Sequence, residues 1–166
     1  MLHRALNAVA HDAVVRALFL FASFALAACT PGAPPASGGG AAAATLIDVS
    51  LTGSSVVATA YGTSGGFQPA VTDVSVGTMV QFINRDAPGF THTTTSLGSA
   101  AAFPASSPFT AAALSVSGTK LSAGFSSGAL APGASSQPLV ADVAGTYLYG
   151  CFFHYGSPMR AAIVVH

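Results

Sequence analysis

The chain has 166 residues, only 6% of them are charged, and the formal net charge is zero. This composition excludes a protein that binds nucleic acid through basic patches, because holding phosphates requires clustered Lys and Arg side chains. A chain of this length favours a single folded domain.

The first 28 residues have the features of a signal peptide. Arg4 and Arg16 precede an apolar run over residues 17–28, which is shorter than the roughly 20 residues of a membrane-spanning helix. The run ends in Leu-Ala-Ala-Cys29, which resembles the bacterial lipoprotein signal. That resemblance implies that Cys29 is lipidated and becomes the first residue of the mature chain. The alternatives are an ordinary cleavage site or an uncleaved anchor helix.

Residues 29–44 join this signal to the remainder of the chain. After Cys29 the segment is rich in Pro, Gly and Ala, a composition typical of a flexible, partly stiffened tether. We expect the folded domain to cover residues 45–166. Acyl chains on Cys29 would hold that domain at a membrane surface, so we expect an extracytoplasmic, membrane-anchored lipoprotein, in the periplasm or on the outer cell surface.

Beyond residue 45 the sequence is typical of an all-β protein. Clusters of Gly, Pro or Ser recur roughly every ten residues and no long helical periodicity is present, which favours a β-sandwich or barrel. About eight strands are predicted, over residues 46–51, 55–61, 71–76, 79–84, 121–125, 138–143, 146–151 and 159–165.

Three further details of this pattern can be tested. Within the strand over 79–84, Val80 and Phe82 share one face, and Met79 is assigned to the core. The β-branched run over 91–95 has strand propensity. The Ala-, Ser- and Pro-rich residues 97–117 predict a long excursion that contains one strand or a short helical turn near 111–116.

The number of cysteines limits the roles that Cys151 can have. The chain has two Cys, so a disulfide is impossible if Cys29 is acylated. A lone thiol is vulnerable in an oxidising compartment, and either metal ligation or deep burial would protect it. A buried structural Cys is therefore the simpler alternative to a ligand.

The segment around Cys151 favours the ligand. Cys151, His154 and Met159 follow one another as Cys-x2-His-x4-Met, which places a thiol, an imidazole and a thioether on one short loop. These are the ligand types of a mononuclear blue copper site, which requires one further His. His92 supplies it. The sequence thus predicts a single copper ion, cycling between Cu(I) and Cu(II), at these four residues.

With these residues in place, the chain resembles the cupredoxins, in particular the plastocyanin, pseudoazurin and halocyanin group. The resemblance covers residues 46–166. It rests on Val-Gly-Thr-Met-Val-Gln-Phe-Ile-Asn over 76–84, a His eight residues later, Phe-Ser-Ser-Gly over 125–128, Leu-Ala-Pro-Gly over 130–133, and Ala-Gly-Thr-Tyr-Leu-Tyr-Gly-Cys over 144–151. It implies a Greek-key β-sandwich with copper at one end, held by His92, Cys151, His154 and Met159.

The chain departs from the family pattern at three positions. Phe153 stands where the family often has Pro, Arg160 follows the Met where Gly is common, and Thr93 replaces an Asn after the first His. A Thr hydroxyl can still form hydrogen bonds. These changes concern the rigidity and redox potential of the site rather than the fold.

The resemblance implies one-electron transfer between a donor and an acceptor redox protein. The alternative is a copper-binding or delivery protein that does not shuttle electrons, although such carriers tend to use open runs of Met and His that this chain lacks. A structural β-domain without metal is a further alternative. An enzyme is not expected, since a multicopper site needs additional His, and the Asp residues are isolated in the sequence.

In the family, the exposed edge of the loop His passes the electron. That edge would belong to His154, inside an apolar rim of Phe90, Phe152, Phe153 and Pro158. We expect a monomer that docks its partners weakly through this small apolar patch, with little electrostatic steering.

Overall fold

The computed structural model describes residues 43–166. The signal peptide predicted at 1–28, Cys29 and nearly all of the tether predicted at 29–44 lie outside the described residues. The strands are β1 (Thr45–Val49), β2 (Val57–Thr59), β3 (Gly62–Ser64), β4 (Phe67–Gln68), β5 (Val71–Val74), β6 (Met79–Asn84), β7 (Thr95–Ser96), β8 (Val116–Ser117), β9 (Ser126–Ser127), β10 (Leu139–Val140), β11 (Gly145–Gly150) and β12 (Arg160–Val165). The all-β prediction is confirmed, with shorter and more numerous strands than expected.

Two sheets contain most of these strands and enclose one core. Their strand orders are β10-β6-β1-β4 and β5-β12-β11-β7-β9-β8, while β2 and β3 form a separate hairpin. β1 pairs in parallel with β6, and β5 pairs in parallel with β12. The chain crosses repeatedly from one sheet to the other, so its connecting loops collect at the ends of the sandwich.

β6 shows how the sequence pattern produces this arrangement. Its side chains alternate between buried and half-buried positions, with Val80, Phe82 and Asn84 inside, because successive side chains of a strand point to opposite faces. A turn introduces the strand: the Thr78 N–H donates to the Ser75 carbonyl at 3.1 Å, and Gly77 has φ +90°. A positive φ at this turn position favours glycine.

Aromatic rings from both sheets fill the centre of the core. The Phe82 ring of β6 lies 5.0 Å from the Tyr149 ring of β11, and it stacks on the Phe125 ring at 6.0 Å. Tyr149 also meets the Phe67 ring edge-on at 4.9 Å. Such contacts join the two sheets through large apolar surfaces, which supply most of the burial energy of a small sandwich.

Two predictions about individual elements are wrong. The sequence pattern assigns Met79 to the core, but this side chain is only half-buried, because it lies on the outer face of β6. Residues 121–125 form no strand: Leu121 and Phe125 are buried, yet the Gly124 N–H closes a turn onto the Leu121 carbonyl at 3.3 Å. Gly124 has φ +78°, so turn geometry replaces the extended backbone that the apolar residues suggest.

The excursion over residues 97–117 contains both features that its composition allows. A 3₁₀ helix spans Ala111–Leu114, its first turn is capped by the Thr110 side chain, and β8 follows it. Of the helical structure within residues 43–166, nothing is long and apolar enough to cross a membrane.

Candidate metal centre

Hydrogen bonds of its own backbone N–H and carbonyl fix the position of His92, independently of its side chain. It lies between β6 and β7, where its N–H donates to the Leu130 carbonyl at 3.1 Å and its own carbonyl accepts from the Leu130 N–H at 2.7 Å. The Asn84 side-chain amide donates to the carbonyls of Phe90 and Leu130, both at 2.9 Å. The imidazole is fully buried.

The other three predicted ligands lie on the loop over residues 151–159, which joins β11 to β12. The Cys151 N–H donates to the Met159 carbonyl at 2.9 Å and closes the base of this loop. The His154 carbonyl accepts from the Ser157 and Met159 N–H groups at 2.9 and 3.2 Å. These bonds fold the loop back on itself, so all three side chains are held at one end of the sandwich.

Three donor atoms meet there. His92 Nδ1 lies 3.1 Å from His154 Nδ1, and Cys151 Sγ lies 3.6 Å from His154 Nδ1 and 3.9 Å from His92 Nδ1. Nitrogen and sulfur atoms that share one metal ion at about 2.0–2.3 Å must be roughly 3–4 Å from one another. The spacing and the chemistry of these three side chains therefore fit a soft transition-metal ion.

Met159, the predicted axial ligand, is completely buried beside the same loop. Its side chain packs against Gly66, which has φ +73°. A Cβ at that position would overlap Met159 Cγ and lie 3.1 Å from Sδ. The absence of a side chain at Gly66 thus makes room for the thioether. No sequence argument singles out this glycine, because it lies far from Met159 in the chain.

Thr93, the residue after His92, contacts the ligand loop through both its backbone and its side chain. Its backbone N–H donates to Cys151 Sγ at 3.4 Å, and its hydroxyl accepts from the Phe152 N–H at 2.8 Å. The residue after His92 therefore contacts both the thiol and the start of the ligand loop. Backbone hydrogen bonds to a ligating sulfur stabilise the thiolate form and raise the redox potential of a metal bound to it.

Arg160, the departure after Met159, has a structural role. Its guanidinium lies 5.5 Å from the Phe103 ring centre and 5.0 Å from that of Tyr155. It donates to the carbonyls of Thr63 and Pro104, and the Tyr155 hydroxyl donates to the same Pro104 carbonyl at 3.0 Å. The excursion over 97–117 is thereby tied to the back of the ligand loop.

Asp86 contacts a candidate ligand, and sequence reasoning misses it. The sequence indicates an isolated Asp in a turn, but the side chain is fully buried and lies 2.7 Å from His92 Nε2. The Ser50 and Thr52 hydroxyls and the Leu51 and Thr52 N–H groups also donate to it, at 2.5–3.2 Å. The available signal is an Asp six residues before a candidate ligand, which is not distinctive.

The titratable groups of the site are shifted by burial and by this network. For Asp86, burial alone would raise the pKa, but hydrogen bonds from Thr52, Ser50 and His92 outweigh it and hold the pKa well below its usual range. Burial raises the pKa of the Cys151 thiol, and nearby backbone N–H groups oppose part of that rise. Burial, and then the neighbouring His92, lower the pKa of His154, which favours the neutral imidazole that can bind a metal.

Two of the four apolar residues predicted around His154, Phe152 and Phe153, form an aromatic pair next to it. Phe153 is 45% exposed, and Phe90, Phe152 and Pro158 are half-buried. The Phe153 ring lies 5.2 Å from the Phe152 ring and 6.1 Å from the His154 ring. His154 is itself half-buried.

Comparisons with known proteins give matches among solved structures only. No protein-family model matches the chain, and no curated protein does. A purple cupredoxin from Nitrosopumilus maritimus is 19% identical, with 74% of this chain and 99% of that chain covered and a TM-score of 0.45. The reduced state of an amicyanin mutant is 20% identical, with 82% and 95% covered and a TM-score of 0.46. A Cu(I) form of another amicyanin mutant at pH 4 is also 20% identical, with the same coverage and a TM-score of 0.47.

Proposed function

We propose that this protein is a blue copper electron carrier, which passes one electron at a time between redox proteins. The copper ion would be held by His92, Cys151, His154 and Met159. The observation that carries the proposal is the convergence of two imidazole nitrogens and one thiol sulfur within 3.9 Å of one another at one end of the sandwich.

The ligand set suits one-electron chemistry. Copper, when bound, would supply a couple between Cu(I) and Cu(II), in which the thiolate and thioether favour the reduced ion and the imidazoles accept both states. The chain itself keeps its donor atoms in place. Backbone bonds at Leu130 hold His92, and the bond from Cys151 to Met159 closes the loop, so the ligands need little rearrangement when the oxidation state changes.

Electrons would enter and leave through the imidazole of His154. The Phe153 ring beside it, with the partly exposed Phe90, Phe152 and Pro158, would form a small apolar patch through which a donor and an acceptor dock weakly. Fast turnover requires that such complexes dissociate quickly, which a small patch permits. In this proposal the protein is a monomeric carrier and performs no chemistry on a substrate.

The test is the visible absorption spectrum of the full-length chain after addition of one equivalent of Cu(II). We expect an intense blue band from the thiolate-to-copper transition that disappears on reduction. Cys151→Ser should abolish the band. Cys29→Ser, a matched change at the other cysteine, should leave it intact.

Two other outcomes would contradict electron transfer. A chain that binds copper without the thiolate band, or without a reversible redox potential, would be a copper-binding or delivery protein. A chain that binds no copper would be a β-domain whose ligand pattern serves packing alone. Isothermal titration of the metal-free chain with Cu(I) and Cu(II), beside cyclic voltammetry, separates these cases.

We also propose that the domain is anchored to a membrane through lipidated Cys29, on the extracytoplasmic side. The support is the apolar run before Leu-Ala-Ala-Cys29 and the Pro- and Gly-rich segment that follows it. Mass spectrometry of the mature N-terminus should find an acylated Cys29, and Cys29→Ser should release the protein from the membrane fraction. An unmodified Cys29 in membrane-bound protein would refute the proposal.

A further inference from the structure

The buried carboxylate of Asp86 is held by five donors. Oδ1 accepts from the Ser50 hydroxyl at 2.7 Å, the Thr52 hydroxyl at 2.5 Å and the Thr52 N–H at 3.2 Å. Oδ2 accepts from the Leu51 N–H and from His92 Nε2, each at 2.7 Å. Because neither side chain of the Asp86–His92 pair is exposed, this interaction is shielded from water.

The orientation of the His92 ring follows from this contact. A carboxylate accepts hydrogen bonds, so it selects the tautomer with the proton on Nε2. The Nδ1 lone pair is then free and faces Cys151 and His154. Without the Asp86 oxygen, the ring could exchange its two nitrogens or rotate, and the three donor atoms would no longer be set in advance.

We propose that Asp86 is a positioning residue that orients His92 and lowers the redox potential of the copper site. This inference rests on the proposed function. A negative charge bonded to a ligating imidazole makes the free nitrogen a stronger donor. In a buried site that charge also favours the more positive oxidised ion, so it opposes the apolar rim and Met159, which favour reduction.

The turn over residues 50–52 connects this carboxylate to the axial ligand. The Ser50 N–H donates to the Gly66 carbonyl at 2.9 Å, and Gly66 is the residue that leaves room for Met159. The same turn supplies four of the five donors to Asp86. Residues 50–52 thus support the buried His92 through Asp86 and the position of the Met159 thioether through Gly66.

The experiment measures the midpoint potential and the Cu(II) spectrum of the full-length chain with Asp86→Asn. The change keeps the shape of the side chain and removes its charge. We expect a higher potential and an altered Cu(II) spectrum. The matched control is Asp142→Asn, since Asp142 is half-buried and, within residues 43–166, its carboxylate accepts hydrogen bonds only from Ser122. It should alter neither quantity.

A second variant keeps the proposal testable if Asp86→Asn does not fold. Thr52→Val removes the hydroxyl donor to the Asp86 carboxylate at an exposed position and retains the carboxylate charge. Because fewer hydrogen bonds then compensate that charge, it should stabilise Cu(II) more strongly, and the midpoint redox potential should fall. The two variants therefore shift the potential in opposite directions. A purely structural role for Asp86 would not produce opposite signs.

The metal-free protein provides a readout that does not depend on copper. In the full-length apo chain, the His92 Nε2–H should give a downfield, slowly exchanging proton signal, and Asp86→Asn should remove it. A blue, reversible wild-type protein whose potential is unchanged by Asp86→Asn and by Thr52→Val would overturn this inference and leave the proposed function standing. A wild-type protein without the blue band would overturn both.

Discussion

Thr93 contacts the ligand loop with both its backbone and its side chain. Its hydroxyl accepts from the Phe152 N–H at 2.8 Å, directly after Cys151, so it fixes the point at which the chain leaves β11. The neighbouring Thr94 is equally buried, but its hydroxyl has no hydrogen-bond partner within the described domain. The two adjacent threonines thus differ in whether the buried hydroxyl takes part in a hydrogen bond, and this difference should determine their contributions to stability.

We expect Thr93→Val to lower the free energy of unfolding by about 1–3 kcal/mol, because it leaves the Phe152 N–H without an acceptor. Thr94→Val should be neutral or stabilising, since it removes a buried hydroxyl that bonds to nothing within residues 43–166. Chemical denaturation of the two metal-free variants measures both values. Equal losses of stability in the two variants would refute the role given to Thr93.

Substitution of Gly66 tests whether the absence of a side chain there makes room for Met159. Gly66→Ala should lower stability by about 1–2 kcal/mol from its positive φ alone, and the added Cβ should also displace the Met159 side chain. Gly77→Ala is the matched control, because Gly77 also has a positive φ but a Cβ added there would meet nothing within 4 Å. Only Gly66→Ala should alter the Cu(II) spectrum. Similar spectra for both variants would show that Gly66 does not determine the position of the Met159 thioether.

At the same scale, the candidate ligands could be predicted but their supports could not. Cys151, His154 and Met159 lie within one short segment, so their spacing is visible in the sequence. The donors from residues 50–52 to Asp86 are separated from it by 34–36 residues, and that contact exists only because β1 and β6 are neighbours. Nothing local to Asp86 distinguishes it from an exposed turn residue.

One residue of β11, Tyr149, buries its hydroxyl group in the aromatic core. Tyr149 is completely buried among Phe67, Phe82 and Phe125, and its hydroxyl finds no hydrogen-bond partner among residues 43–166. Burial raises the pKa of Tyr149 far above its usual value. Tyr155, in the loop after β11, differs because its hydroxyl donates to the Pro104 carbonyl at 3.0 Å.

Tyr149→Phe should therefore stabilise the domain by up to about 1 kcal/mol, because it removes a buried polar group without a partner. Tyr155→Phe should destabilise it by about 1 kcal/mol and loosen the tie between the excursion over 97–117 and the ligand loop. Thermal unfolding gives the signs, and hydrogen exchange near Pro104 reports the tie. Loss of stability in Tyr149→Phe would show that its hydroxyl is satisfied after all.

The strands that can be predicted well are those whose own residues determine them. β6, β11 and β12 each have six residues, and the observed bounds of β6 agree with the prediction over 79–84. β7, β8, β9 and β10 have two residues each. Such short pairings depend on tertiary neighbours rather than on local propensity. Local propensity is misleading for the same reason at residues 121–125, where buried apolar side chains wrongly predict a strand.

Over the described domain as a whole, charged side chains are few. The described residues contain four Asp and three basic side chains, a formal charge of −1. Arg85 is paired with Asp48 at 3.1 Å, and Arg160 stacks between Phe103 and Tyr155. Long-range steering grows with the charge of both partners, so this domain offers little of it.

The rate of electron exchange should accordingly depend only slightly on salt. For reduction of the Cu(II) protein by ferrocene reagents with one cationic or one anionic substituent, we expect less than about a twofold change between low and physiological ionic strength. Stopped-flow measurement of the loss of the blue band gives both rate constants. A tenfold change with either reagent would reveal a charged docking face and refute the apolar patch.

Phe153→Lys makes this prediction sharper, because it places one positive charge beside His154 on a side chain that is already 45% exposed. The anionic reagent should then react faster at low salt and lose that advantage as salt screens the charge, while the cationic reagent should show the opposite trend. The variant thus tests whether electrons pass through the rim around His154. If both rate constants and their salt dependence remain as in the wild type, electrons leave the protein at another surface, and His154 is a ligand without a docking role.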